Sequence, residues 1–186
     1  MIADQIKEHT QVQHQSLEAV MIRQIKSIKV PGDYVKLLEV FYSYFGGLET
    51  RIEATIGGAL PDNHQRRKTD ALASDIIFFG GTLPDKASGS DLPAIRNPRQ
   101  AIAALYVIEG STLGGIHISK MIQKRLDLKT TVGLRFFEGY GEQTKAMWET
   151  FKEVLNALPD SPEEEAEMIA TASDTFTKFQ LWLEKF

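Results

Sequence analysis

The sequence predicts an all-α fold, and three observations carry that prediction. Apolar residues recur at helical spacing over several long stretches, each stretch is bounded by residues that start or stop helices, and no alternating strand-like run competes. From Ile2 to Ile28, apolar residues fall at 2, 6, 17, 21, 25 and 28, with Val12 and Val20 between, and "VPGD" ends the pattern. Residues 34 to 57 repeat it and carry Gly46 and Gly47 in mid-helix. A third helix is expected around 65 to 78; "IIFFGG" at 76 to 81 is the one apolar cluster that competes as a strand. "GGTLPDKASGSDLPAI" reads as a surface loop. Asn97 followed by Pro98 is an N-cap and first-turn pair opening a helix over 98 to 125. After a connection near 127 to 141, "EQTKAMWETFKEVLNAL" forms a helix that ends at Pro159. Ser161-Pro162-Glu163-Glu164 supplies a cap, a first-turn proline and acids that suit the helix dipole, so the last helix runs to about Lys185.

At 186 residues and 42% hydrophobic, the chain suits one sizeable core, so a single globular domain over 1 to 186 is expected. The net charge is −4, and the 21 basic residues are spread out, which argues against nucleic acid as a partner. The one tight basic run, Arg66-Arg67-Lys68, reads as a solvated face. With no cysteine, disulfides, thiolate metal ligands and iron–sulfur clusters are excluded. "MIADQIKEHT" has no basic segment followed by an apolar one, and no apolar run approaches the length of a membrane span. A cytoplasmic protein without membrane insertion is the expectation.

Spacing excludes several familiar sites. There is no HExxH, no Glu three residues before a His, and no GxSxG, so zinc-protease, carboxylate-bridged di-iron and nucleophile-elbow chemistry are absent. "GYGEQT" follows no strand and so is a poor dinucleotide loop. Four histidines remain: His9, His14, His64 and His117. At about 100° per residue, His14 lies at the margin of the first helix's apolar face, in one ridge with Lys7, Thr10 and Glu18. Glu18, one turn on, is placed to orient the imidazole as carboxylates do for metal-bound histidine. A buried-side histidine also has the plain reading of a satisfied core residue.

The stretch "EGSTLGG" at 109 to 115 puts three glycines inside the longest apolar helix. Each costs about 1 kcal/mol relative to alanine there. Gly110, Gly114 and His117 lie along one ridge, while Gly115 lies well round the helix. Such a ridge serves either close packing of a neighbouring helix or close approach of backbone to a flat ligand. In the second case a planar macrocycle would be sandwiched between His14 and the glycine-opened helix.

These residues resemble a known family. "IKEHTQVQHQSLE" (6 to 18) resembles the proximal helix of haem oxygenases, with Lys7, Thr10, His14 and Glu18 at the spacing of the family's lysine, threonine, haem-ligating histidine and glutamate. "LYVIEGSTLGGIHI" (105 to 118) looks like the distal helix of the bacterial branch. "FFEGYGEQTKAMWETF" (136 to 151) is similar to the segment that follows it there and "FYSYFGGLETRIE" (41 to 53) resembles the family's second helix, so the resemblance spans nearly the whole chain.

The resemblance implies a multi-helix bundle with b-type haem, both cofactor and substrate, between the first helix and a glycine-kinked distal helix. It implies cleavage at a meso carbon to biliverdin, carbon monoxide and ferrous iron, with dioxygen and an electron donor such as a ferredoxin or flavodoxin system with its reductase. His14 would be the axial iron ligand, and Gly110, Ser111 and Gly114 would flank the oxygen pocket. Lys7 and Tyr106 would contact the propionates, Lys152 matches a basic position on that side, Glu18 is the acid near the proximal histidine, and Phe176 would line the distal cavity. Ser111 stands where animal members carry an aspartate; bacterial members also lack it, so the proton route must differ. His117 is a second imidazole on the distal helix. A non-catalytic haem or tetrapyrrole binder of the same fold, a relative that binds no haem, and a plain helical interaction module remain open alternatives.

Overall fold

The computed structural model describes residues 1–185, which hold eight α-helices, three short 3₁₀ turns and no strand. In chain order the helices are α1 (Ile2–His9), α2 (Gln11–Ser27), α3 (Pro31–Ile56), α4 (Asp70–Phe78), α5 (Pro98–Arg125), α6 (Arg135–Glu138), α7 (Thr144–Asn156) and α8 (Pro162–Leu183). The starts follow the sequence signals. Asn97 Oδ1 accepts from Gln100 N–H at 2.9 Å at the head of α5, and the Ser161 hydroxyl accepts from Glu164 N–H at 3.3 Å at the head of α8. The Asp33 carboxylate folds back on the start of α3, accepting from Lys29 and Val30 N–H at 2.9 and 3.2 Å. "IIFFGG" is not a strand: its first residues close α4, and Gly80, at φ +77°, begins the exit.

One expected helix is two. The pattern from Ile2 to Ile28 is interrupted at Thr10, which leaves helical geometry (φ −102°, ψ 7°) while its hydroxyl donates to the Ile6 carbonyl at 2.7 Å. Backbone bonds from Thr10 N to Ile6 O and from His14 N to Thr10 O, each 2.9 Å, carry through the break. The interruption is therefore a local departure at one residue, not a separate turn.

α5 is the spine. Residues 101–108 are all buried, and the helix packs against α8, α3, α6 and α7. α5 is long and apolar enough to cross a membrane, contrary to the sequence reading that no run approaches that length, but 61% of its apolar window is buried inside the bundle. Between α3 and α8 the core is aromatic: Phe179 lies 4.6 Å from Phe45, 4.9 Å from Tyr44 and 5.1 Å from Phe41, ring centre to centre. Such pairs add about 0.5–1.5 kcal/mol each beyond area burial.

The mid-helix glycines of α3 have a packing cause. The loop after α4 lies across α3 as a strap, and a Cβ at Gly47 would sit 2.1 Å from the Ala87 carbonyl oxygen. Ser43 donates to the Asp85 carbonyl and its own carbonyl accepts from Ala87 N–H, while Arg51 donates to the carbonyls of Gly89, Leu92 and Pro93. The strap's backbone polar groups are thereby satisfied on α3.

Candidate active site

The glycines of α5 divide by what they face. A Cβ at Gly115 would lie 2.3 Å from the Phe137 carbonyl oxygen, so this glycine admits the backbone of α6. A Cβ at Gly114 would meet nothing within 4 Å, and one at Gly110 would meet only the Trp148 ring at 3.7 Å. Helix packing therefore explains Gly115 and leaves the ridge unexplained. Along that ridge the surface is apolar and open: Gly114 is exposed, and Leu113 and Ile116 beside it are 44% and 42% exposed. An open apolar strip with no side chain along its middle suits the face of a flat ligand.

The ridge ends at Tyr106, whose ring lies 5.2 Å from that of Trp148. Tyr106 is buried, and burial first, then the Asp4 carboxylate, pushes its pKa up, so its hydroxyl stays protonated as a donor. Asp4 belongs to α1, as does the exposed Lys7. Trp148, half-buried on α7, was not anticipated; its only sequence signal was an aromatic in "AMWETF" whose direction periodicity does not settle. Lys152 lies one turn further along α7 and pairs with Glu149 at 2.9 Å.

His14 lies on α2 with its side chain 53% exposed, so it is not a satisfied core histidine. Its Nδ1 is 3.6 Å from a Glu18 carboxylate oxygen, close enough for Glu18 to orient it but longer than a hydrogen bond. No other polar group of the described residues engages the imidazole. Phe176 of α8, expected to line the distal cavity, meets His14 edge to face at 5.7 Å. The other histidines stand elsewhere: His9 bonds the Gln5 carbonyl of its own helix, His64 sits in a 3₁₀ turn beside Gln65, and His117 is exposed near the ridge's far end.

The expectation of a solvated Arg66-Arg67 face is overturned. The Arg66 side chain is 1% exposed and bonded to Asp62, Glu109 and the Met147 carbonyl; burial works against its charge, but the two carboxylates outweigh it and raise its pKa. Arg67 lies 4.0 Å over the Phe136 ring and donates to the carbonyls of Phe136 and Ile108 and to the Ser111 hydroxyl, at 2.8, 3.0 and 2.8 Å. Burial lowers its pKa to about 10, with Glu109 and Tyr140 opposing, so it remains charged at neutral pH. Ser111 in turn donates to the Ile108 carbonyl at 2.6 Å, so its hydroxyl is held at the flank of the ridge.

Among the described residues no group of three or more His, Asp or Glu is placed to hold a metal ion. A lone exposed imidazole is instead the donor a metal needs when a macrocycle fills its equatorial positions. Exposed histidine and open glycine ridge together fit such a group.

This fold and these two surfaces define a class: an all-helical protein with a single-imidazole site and a side-chain-free helix face for a planar ligand. The family model described as Heme oxygenase matches residues 1–185. A "Heme oxygenase" of Xanthomonas campestris pv. campestris is 29% identical over 155 residues, covering 81% of this chain and 88% of that one. Among solved structures, the NO- and CO-bound heme oxygenase of Neisseria meningitidis aligns with a TM-score of 0.83 at 29% identity, covering 100% of this chain and 91% of its own. The Leptospira interrogans heme oxygenase gives 0.80 at 22% identity over 100% and 99% of the two chains. Heme oxygenase-1 of the cyanobacterium Synechocystis, solved in complex with heme, gives 0.76 at 17% over 99% and 91%; these last two show likeness of fold. The chain belongs to the heme oxygenase family. It is a haem oxygenase, an enzyme of haem degradation that binds haem.

Proposed function

We propose that the protein opens haem at a meso carbon, releasing biliverdin, carbon monoxide and ferrous iron, at a site between His14 and the Gly110–Gly114 ridge. One observation carries the assignment of the site: the space beside Gly114 is open where Gly115, its neighbour, is closed by backbone. His14 would hold the iron, with Glu18 orienting the imidazole and Phe176 supporting its ring. Lys7 and the protonated Tyr106 hydroxyl would take the propionate carboxylates, joined by Lys152 on exchange of its Glu149 partner. Bound haem supplies the iron that engages dioxygen and the ring that is oxidised.

The chain's own residues then govern position and protons. Gly110 and Gly114 leave van der Waals space against the macrocycle, and Leu113 and Ile116 exclude water from the strip's edges. No acidic side chain lies on the ridge, which withholds a strong proton donor from the face where oxygen would lie. Ser111, tied to Arg67 and Ile108, keeps a hydroxyl one residue from Gly110 to order water there. Electrons come from an external donor of the ferredoxin or flavodoxin kind with its reductase.

Haem, a reductant and air distinguish this from simple binding. The enzyme is expected to turn green and evolve carbon monoxide, with His14→Ala losing the native haem spectrum and most turnover while His117→Ala keeps both. A stable haem band through many equivalents of reductant, or the reverse pattern for the two histidines, contradicts the assignment.

A further inference from the structure

Glu109 immediately precedes the first ridge glycine, and only 1% of its side chain is exposed. One of its oxygens accepts from Arg66 Nη1 at 3.0 Å, and the Tyr140 hydroxyl contacts both oxygens at 2.8 and 3.0 Å. Each partner passes the constraint on. Arg66 Nη1 also donates to the Met147 carbonyl at 2.8 Å, and the next residue is Trp148, whose ring faces Gly110. The Tyr140 oxygen also accepts from the Arg67 backbone N–H at 2.8 Å, and the Arg67 guanidinium reaches Ser111 on the far side of Gly110. Asp62 completes the group by gripping Arg66 at 2.6 Å. Three segments remote in sequence, residues 62–67, α5 and 140–147, thus meet on one carboxylate.

Stability alone does not account for the cluster. Taking two acids and two guanidinium groups out of water is costly, and well-packed apolar residues in place of a buried ion pair are often as stable or more so. What apolar residues do not supply is direction: a carboxylate with fixed partners sets the rotation of everything bonded to it.

We propose that Glu109 is a positioning residue for the ridge, fixing the Trp148 indole beside Gly110 through Arg66 and the Ser111 hydroxyl through Tyr140 and Arg67. The proposal rests on the reading of the ridge as the haem-facing surface. Its structural half is nevertheless measurable without haem. In a Trp182→Phe background Trp148 is the sole tryptophan, so the emission reports the surroundings of this indole. Glu109→Gln in that background is expected to raise acrylamide quenching of Trp148 at least threefold in the haem-free protein. The pair Arg66→Met with Glu109→Leu is expected to do the same while its thermal unfolding midpoint stays within a few degrees of the parent; it also serves if Glu109→Gln folds poorly.

With haem bound, both variants are expected to keep haem affinity within threefold, lose about tenfold in kcat, and alter the ratio of biliverdin isomers. Unchanged quenching in a folded variant overturns the proposal, as does a kcat and isomer ratio equal to the parent's. If the parent itself fails to degrade haem, the reading of the site is lost while the quenching result still stands or falls separately.

Discussion

Gly114 and Gly115 are neighbours on one helix, yet the space round them is opposite in character. Beside Gly115 the Phe137 carbonyl occupies the place a methyl group would need; beside Gly114 nothing lies within 4 Å of that place. The contrast extends over α5. Its open strip, round Gly114 with the exposed Leu113 and Ile116, has few protein neighbours, whereas its remaining surface is fastened by the Glu109 cluster, by Arg67 on Ser111 and by α6. A helix locked on most sides and bare on one suits the proposed role, a rigid surface that leaves the ligand's place unfilled.

Substitutions on the two surfaces should separate accordingly. The largest effect is expected from Arg66→Ala, which strands the buried Glu109 carboxylate and should cost about 4 kcal/mol, within the range for breaking a buried pair. Urea unfolding of the haem-free protein measures it; a loss below about 1 kcal/mol would mean the cluster is solvated. Next comes Gly115→Ala, where α6 must retreat from the new methyl group, at about 3 kcal/mol by the cost of overpacking. Its unfolding midpoint in urea should fall with an unchanged slope.

Asp75 lies on the locked side too. Its buried carboxylate accepts from the N–H groups of Arg135 and Phe136 at 3.1 and 2.9 Å and so starts α6, the helix that Gly115 admits. Asp75→Ala should destabilise by about 2 kcal/mol, the range for an orphaned buried donor and a lost cap. Hydrogen exchange localised to residues 133–139 distinguishes that loss from general loosening. The smallest and oppositely signed effect belongs to the open strip: Gly114→Ala should raise the stability of the haem-free protein by up to about 1 kcal/mol, because helix propensity improves and nothing is struck.

The two surfaces were also unequally legible in the sequence. Helix starts at Asn97-Pro98 and Ser161-Pro162 were readable because caps act over three or four residues. The ridge and its separation from Gly115 followed from helical geometry, and the nearness of His14 to Glu18 from their spacing of one turn. The locked side was hidden, since Arg66 meets Glu109 across 43 residues and no local pattern announces that a doublet of arginines will be buried. The same holds for Phe176, whose place beside His14 depends on how α2 crosses α8, and for α6, whose four residues are started by an aspartate some 60 positions earlier. The break at Thr10 escaped because threonine is tolerated in helices and only the backbone angles of that one residue mark it.

The most direct measurement is a haem titration of Gly114→Leu followed by absorbance, paired with thermal unfolding of the same protein without haem. An open, ligand-facing ridge predicts at least a tenfold loss of haem affinity with an unfolding midpoint equal to or above the parent's. Undiminished haem affinity, or a collapse of stability like that expected for Gly115→Ala, would contradict it.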